Sequence, residues 1–335
     1  MSEKILIIRF SSMGDIILAL PVVEAVKQAK PEAVVDFLTR KQYTCLIDQF
    51  TGVNRTYSFD NNMRSLLKEL KKQKYNTVID LQKNPRSILL TAAINPKRVA
   101  SYPKRRLRRE LLIRRPQISL NIGHAVDAYL AALGRLKIKP TGRHPRFVLE
   151  LEVSKFGEDF INNAGFSGKI IGLCPGSKHK EKKWQQYHEL ASLIIEDDDK
   201  NVIVFSGPDD DFDPNLNISS DKLVAALKLR LDRLAGVMSG CDVVVTNDSG
   251  LMHLAVALFV PVVAIFGPTH PSLGFSPLGE SDRVICDNVA CSPCSLHGEK
   301  ECRMPRKYCF ENITPQRVKD ELARFIYDKS PSKIL

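Results

Sequence analysis

The chain reads as an α/β protein of two doubly wound, Rossmann-like domains. Three observations predict this. Its 335 residues suit two domains at the usual ~100–200 residues each. Short apolar runs alternate with amphipathic stretches along the whole length, the signature of a parallel sheet covered on both faces. The alternation breaks at a Pro/Gly/basic stretch over residues 139–145 and then resumes. We therefore expect an N-terminal domain over residues 1–150 and a C-terminal domain over 151–335, facing a central cleft. Ligands of such sheets bind beyond the carboxyl ends of the strands.

The elements follow in order. Residues 5–10 form a buried-strand pattern, and 16–29 a helix with apolar side chains at three- and four-residue spacing. Residues 34–38 are a strand, 61–74 a charged surface helix, 77–81 a strand and 124–133 a helix. In the second half, 170–174 is a strand, 184–195 a helix and 202–205 a strand. A helix over 231–240 ends in glycine, and 243–246 is a strand, 251–259 a helix and 262–266 a strand. Thr314 and Pro315 open a last helix to Tyr327, with proline in its first turn.

Composition narrows the function. Hydrophobic residues make up 44% and charged residues 26%, ordinary globular values that exclude disorder, collagen-like repeats and small disulfide scaffolds. The N-terminus becomes charged at Lys4 and Arg9, too soon for a secretory signal. Residues 251–267 carry no Asp, Glu, Lys or Arg, but these seventeen residues fall short of the ~20 a bilayer requires and contain His253 and Pro261. A buried helix followed by a buried strand is expected there, in a cytoplasmic protein. The net charge of +11 divides into +16 over residues 1–150 and −5 over 151–335. That asymmetry points to an anionic partner for the first half: nucleic acid, an anionic membrane surface or an acidic saccharide.

Several loops could carry chemistry. The first is Phe10-Ser11-Ser12-Met13-Gly14-Asp15, directly after the first strand and lacking the glycine triplet of a dinucleotide fingerprint. Asp15 there either caps the helix starting at Ile16 or acts as a general base on a substrate hydroxyl, and the two roles are compatible. The second runs from Pro175-Gly176-Ser177 through Lys178, Lys180, Lys182 and Lys183 to Trp184. It is either a solvated basic loop or an anion site with backbone N–H groups near a helix start. The third is Thr246-Asn247-Asp248-Ser249-Gly250, where a helix N-terminus suits a diphosphate and Asp248 either caps that helix or grips sugar hydroxyls. His253 on the next turn reads as a packing histidine. A weaker signal, Ser206 to Asp211, is either a ribose-binding carboxylate past a strand end or an acidic surface turn.

Taken together, these motifs resemble glycosyltransferase family 9, the heptosyltransferases. The elements are R-F-S-S-M-G-D at the start, P-G-S with K-K-W in the middle, and N-D-S-G-L-M-H followed by I-F-G-P-T, in the family's order over nearly the whole chain. The resemblance implies a GT-B fold and an inverting transfer of heptose from ADP-heptose to the lipopolysaccharide inner core, a Kdo/heptose acceptor on lipid A. It implies Asp15 as catalytic base and Lys182 and Ser177 as contacts to the donor phosphates. Asp248, Ser249 and Gly250 would contact the donor sugar and diphosphate, and Asp210 or Asp211 the ribose. Gln185 departs from the proline common after the tryptophan, which concerns the helix start more than the chemistry. No cofactor is implied for the reaction. A protein or another glycan could replace the lipopolysaccharide acceptor.

Two segments remain. Residues 97–115 carry nine Lys or Arg against one acid, Glu110. Ser11, Ser12, Arg105, Arg106, Arg108 and Arg109 are expected to meet an anionic lipid-linked saccharide, with peripheral binding at the inner face of the inner membrane at about 1 kcal/mol per basic residue. A nucleic-acid-binding protein is the rival from another class, but the strip holds only Tyr102 as a stacking aromatic, so no nucleic-acid partner is expected. Cys291, Cys294, Cys302 and Cys309 crowd into nineteen residues. They are either free thiols or a structural Zn or Fe site, and the four-cysteine iron site of the related autotransporter heptosyltransferases favours the metal.

Overall fold

The computed structural model describes residues 2–60, 62–118, 120–206, 216 and 218–327. They form two units. The first comprises residues 1–105 and 123–150, the second residues 106–122 and 151–335. Residues 106–122, placed by the sequence in the N-terminal domain, thus belong with the second unit.

The described residues of the first unit hold five parallel strands: β1 (Lys4–Ile8), β2 (Val34–Arg40), β3 (Arg55–Phe59), β4 (Thr77–Asp80) and β5 (Arg98–Ser101). Their order is β3-β2-β1-β4-β5. Ile5 of β1 pairs with Val35 on one side and Thr77 on the other. Strand order therefore reverses between β1 and β4. Ile5 through Ile8 are wholly buried, as a central parallel strand covered on both faces requires.

The described residues of the second unit hold six: β6 (Lys169–Cys174), β7 (Lys200–Phe205), β8 (Leu223–Ala226), β9 (Val243–Asn247), β10 (Val262–Phe266) and β11 (Arg283–Cys286). All pair in parallel in the order β11-β10-β9-β6-β7-β8, with the reversal between β6 and β9. The core packs Ile171, Leu173, Val243, Val245, Val263 and Ile265 against Trp184, Tyr187 and the terminal helix Pro315–Tyr327. These two parallel α/β sheets are those of a GT-B protein. The uncharged stretch after Gly250 becomes a short buried helix, Gly250–Ala257, followed by β10. No described helix is long and apolar enough to cross a membrane.

Two expected helices start elsewhere. The pattern over residues 16–29 splits into Met13–Ile17 and Leu20–Ala29. Pro21 explains the break, because it has no N–H to continue the ladder and its ring would meet the carbonyl four residues back. The helix expected from Trp184 begins at Tyr187, since residues 180–182 form a single 3₁₀ turn and Lys183 is extended.

The helices Leu151–Asn163 and Leu231–Met238 meet backbone to backbone. A Cβ on Gly157 would lie 2.1 Å from the Gly236 carbonyl oxygen, and one on Gly236 would lie 2.4 Å from that of Val153. Gly157→Ala should therefore cost about 1–3 kcal/mol by overpacking, more than the ~1 kcal/mol gained in helix propensity. Urea unfolding should show a lowered midpoint; an unchanged or raised one would count against the close approach.

Candidate functional site

Each reversal of strand order leaves a crevice at the carboxyl ends of two adjacent strands. In the first unit those ends are Ile8 of β1 and Asp80 of β4. Arg9 and the loop Phe10 to Asp15 follow β1. Asp80 Oδ1 accepts the N–H groups of Gln82 at 2.9 Å and Lys83 at 2.7 Å, holding the turn after β4. Gln82 Oε1 in turn accepts the N–H of Phe10 at 2.9 Å, joining the two loops.

Asp15 is the third residue of the helix Met13–Ile17, one turn further in than a cap preceding Ile16. Its Oδ2 accepts the N–H of Ser12 at 3.1 Å and the Ser12 hydroxyl at 2.8 Å, and lies 2.6 Å from Arg9 Nη2. Its Oδ1 accepts the Tyr129 hydroxyl at 2.6 Å. Arg9 is itself buried, with its guanidinium over the Tyr129 ring. Burial alone would raise the Asp15 carboxyl, but Arg9, Tyr129 and Ser12 together hold it well below the usual carboxylate range. Arg9 and Tyr129 were not singled out from the sequence. A cation ending an apolar strand was the available signal for Arg9, whereas Tyr129 lies 114 residues from Asp15 and had none.

In the second unit the reversal brings together the loops after β6 and β9. Asn247, the last residue of β9, is fully buried and ties both ends of the basic loop. Its Nδ2 donates to the Pro175 carbonyl at 2.8 Å, and its Oδ1 accepts the Trp184 N–H at 3.1 Å. Lys182 Nζ meets Asp248 Oδ2 at 2.7 Å. Asp248 thus pairs with the lysine, and Ser249 stands at the N-cap position of the helix Gly250–Ala257 without a side-chain capping bond. Ser177 is half-buried in the basic loop, and His253 is buried. Lys182, Asp248, Ser249 and Gly250 come together; Asp210 and Asp211 lie outside the described residues.

The basic strip divides. Arg105 belongs to the first unit, whereas Arg106 and Arg108 lie exposed on the helix Arg106–Arg114 of the second. Arg109, expected to meet an acceptor, donates through Nε to the Leu273 carbonyl at 2.9 Å and stacks on Phe275. It anchors this helix by packing its stem and head on the unit's own surface.

None of the eight cysteines is in a disulfide. Cys291, Cys294, Cys302 and Cys309 line one cavity of about 20 Å³ beside Glu181 and Lys307. Burial, with the neighbouring Cys294, Cys291 and Cys302, pushes the Cys309 thiol up to about 12. Among the described residues, however, no three His, Cys, Asp or Glu side chains are placed to hold a metal ion. The cysteines as they stand share a space without forming a ligand set.

The buried pair in the first unit has a measurable consequence. Asp15→Ala leaves the Arg9 guanidinium uncompensated and should cost about 3–5 kcal/mol at pH 7 in urea unfolding. A depressed carboxylate stabilises fully above its ordinary value of 3.8 and loses that contribution as pH falls toward its lower folded value. The gap between wild type and Asp15→Ala should therefore narrow at pH 3. A gap independent of pH would remove the ion pair as its cause.

Comparison with known proteins identifies the family. The model of glycosyltransferase family 9 (heptosyltransferase) matches residues 63–306. Lipopolysaccharide heptosyltransferase 2 of Escherichia coli K12 is 27% identical over 95% of this chain and 97% of its own. Its Salmonella typhimurium counterpart is 26% identical over the same shares. Among solved structures, E. coli ADP-heptose lipopolysaccharide heptosyltransferase II superposes with a TM-score of 0.74 at 23% identity, covering 96% of this chain and 98% of that one. With a family model matching well over half its length, the chain belongs to glycosyltransferase family 9, the heptosyltransferases.

Proposed function

We propose that the protein is an inverting glycosyltransferase that moves heptose from ADP-heptose to the lipopolysaccharide inner core. The observation that carries this reading is the pairing of Lys182 with Asp248 at the β6/β9 reversal, beside the start of the helix at Gly250, which no side chain caps. A cation and free backbone N–H groups there suit a diphosphate, and the neighbouring carboxylate suits sugar hydroxyls. Full-length similarity to two lipopolysaccharide heptosyltransferases supports the substrate class.

In this mechanism Asp15 takes the proton of an acceptor hydroxyl. The freed oxygen attacks the anomeric carbon from the face opposite ADP and forms the new C–O bond. The bond to the diphosphate breaks, and its electron pair leaves with ADP. Lys182 and the N–H groups at Ser249 and Gly250 receive the developing charge, so the chemistry needs no separate cofactor. Asp15 is held strongly acidic by Arg9, which makes it a weak base toward a free alcohol. Proton transfer therefore belongs late in the step, when the forming C–O bond has acidified the attacking oxygen.

The acceptor is lipid-linked, and the helix Arg106–Arg114 supports work at the cytoplasmic face of the inner membrane. Leu107 and Leu111 are exposed on it between Arg106, Arg108 and Arg114. Apolar side chains among cations suit an anionic leaflet.

Calorimetric titration with ADP, with and without EDTA, tests the donor half. Wild type and Asp15→Asn should bind alike and ignore EDTA. Lys182→Ala should bind roughly ten- to a hundredfold more weakly, matching the ~1.5–3 kcal/mol of a charge-assisted contact. Asp15→Asn should separately lose about 10²–10⁴ in heptose transfer to a Kdo/lipid A acceptor. No ADP binding by wild type would overturn the reading. For the membrane, replacing Arg106 and Arg108 by Gln should weaken low-salt binding to anionic vesicles roughly thirtyfold, at ~1 kcal/mol per charge. Unchanged sedimentation would refute it.

A further inference from the structure

We propose that the cysteine-rich segment, residues 291–309, is the positioning element for Lys182, acting through Gly298 and the Glu181–Lys307 pair. The inference rests on the reading of Lys182 as the diphosphate contact.

Three consecutive residues of the basic loop each meet this segment. Lys180 pairs with Glu301 at 3.0 Å, though both are exposed and the pair is weak. Glu181 turns inward, is 9% exposed, and pairs with Lys307 at 3.2 Å on the wall of the cavity that the four cysteines line. Lys182 lies against the backbone of Gly298. A Cβ there would come within 2.3 Å of Lys182 Cγ, 2.6 Å of its Cδ and 3.5 Å of His179 Cβ.

A lysine on a single 3₁₀ turn has little backbone support, and ordering its side chain costs up to ~2 kcal/mol. Asp248 holds the ammonium, but that contact is the one a diphosphate would share or displace. The stem needs a support that survives donor binding, and Gly298 supplies it. Its φ of +78° and its lack of a Cβ let the chain turn and approach the stem at the same point.

The turn is built to hold that position. The Gly298 N–H donates to Ser295 Oγ at 2.9 Å, and Glu299 Oε2 accepts both the Ser295 hydroxyl at 2.7 Å and the His297 N–H at 2.9 Å. Ser295 is fully buried. The segment is fixed to the end of β10 by the Cys294 N–H to the Pro268 carbonyl, 3.0 Å, and by the Ser292 hydroxyl to the Gly267 carbonyl, 2.8 Å. A continuous set of contacts therefore runs from the sheet through the cysteine segment to the stem of Lys182.

The test is a double-mutant cycle on ADP affinity, read by calorimetry, using Gly298→Ala, Lys182→Ala and the double variant. Gly298→Ala should weaken ADP binding toward the ten- to hundredfold loss of Lys182→Ala, and the double variant should bind no more weakly than Lys182→Ala alone. A purely structural role would instead give losses that multiply. Lys307→Met is the second arm and carries the test if Gly298→Ala fails to fold. It should weaken ADP binding several-fold in wild type and not at all in the Lys182→Ala background. Wild-type affinity in the folded Gly298→Ala protein, unaltered affinity in Lys307→Met, or multiplying losses would overturn the proposal while leaving the donor reading intact. Failure of wild type to bind ADP would overturn both.

Discussion

A parallel strand covered on both faces has no room for chemistry along its length, and this constraint organises the protein. The inner strands are sealed by side chains above and below, as the uniformly buried residues of β4, β9 and β10 show. Polar and charged groups are pushed to where the strands end. Where strand order reverses, successive connections leave to opposite faces and the loops part, so the ends of β1 and β4, and of β6 and β9, are open to a ligand. Arg9, Asp15, Asn247 and Asp248 all stand just at or past such an end. The candidate site residues occupy the places the sheets leave available to them.

The same constraint explains what could be read from the chain. The seven inner strands show as short apolar runs. The edge strand β8, Leu223–Ala226, is an apolar run as well, but the edge strands β3 and β5 are not. Each of those is half-open to solvent, and Arg55-Thr56-Tyr57-Ser58-Phe59 or Arg98-Val99-Ala100-Ser101 carries too little continuous hydrophobicity to announce a strand. The candidate loops stand out in the sequence because small and charged residues follow apolar runs directly. Their partners were not. Tyr129 reaches Asp15 from far along the chain, and Gly298 acquires a meaning only when the stem of Lys182 is placed beside it.

Both proposed reactive groups sit in pairs before any ligand arrives. Asp15 is compensated by Arg9, and Lys182 by Asp248. A lone buried charge would be costly, so each pair keeps its unit stable while holding a charge at the strand ends. The pairs differ in what a substrate must do. An anion competes with Asp248 for Lys182, whereas nothing in the proposed chemistry removes Arg9 from Asp15. In the proposed mechanism the Lys182–Asp248 pair would exchange on donor binding, and the Asp15–Arg9 pair would persist as a constraint on base strength.

Asn247 gives the basic loop a topology of its own. By holding Pro175 at one end and Trp184 at the other through a single amide, it closes the intervening backbone into a ring. In the terms of host–guest chemistry the loop is a macrocycle, with lysines 178, 180, 182 and 183 on its circumference. An open chain bearing the same cations would have to gather them around each arriving guest. The ring has met part of that entropic cost during folding, so under the proposed donor reading a diphosphate would find these cations already gathered. Inserting or deleting residues between the clasped ends would change the host, even if every lysine were kept.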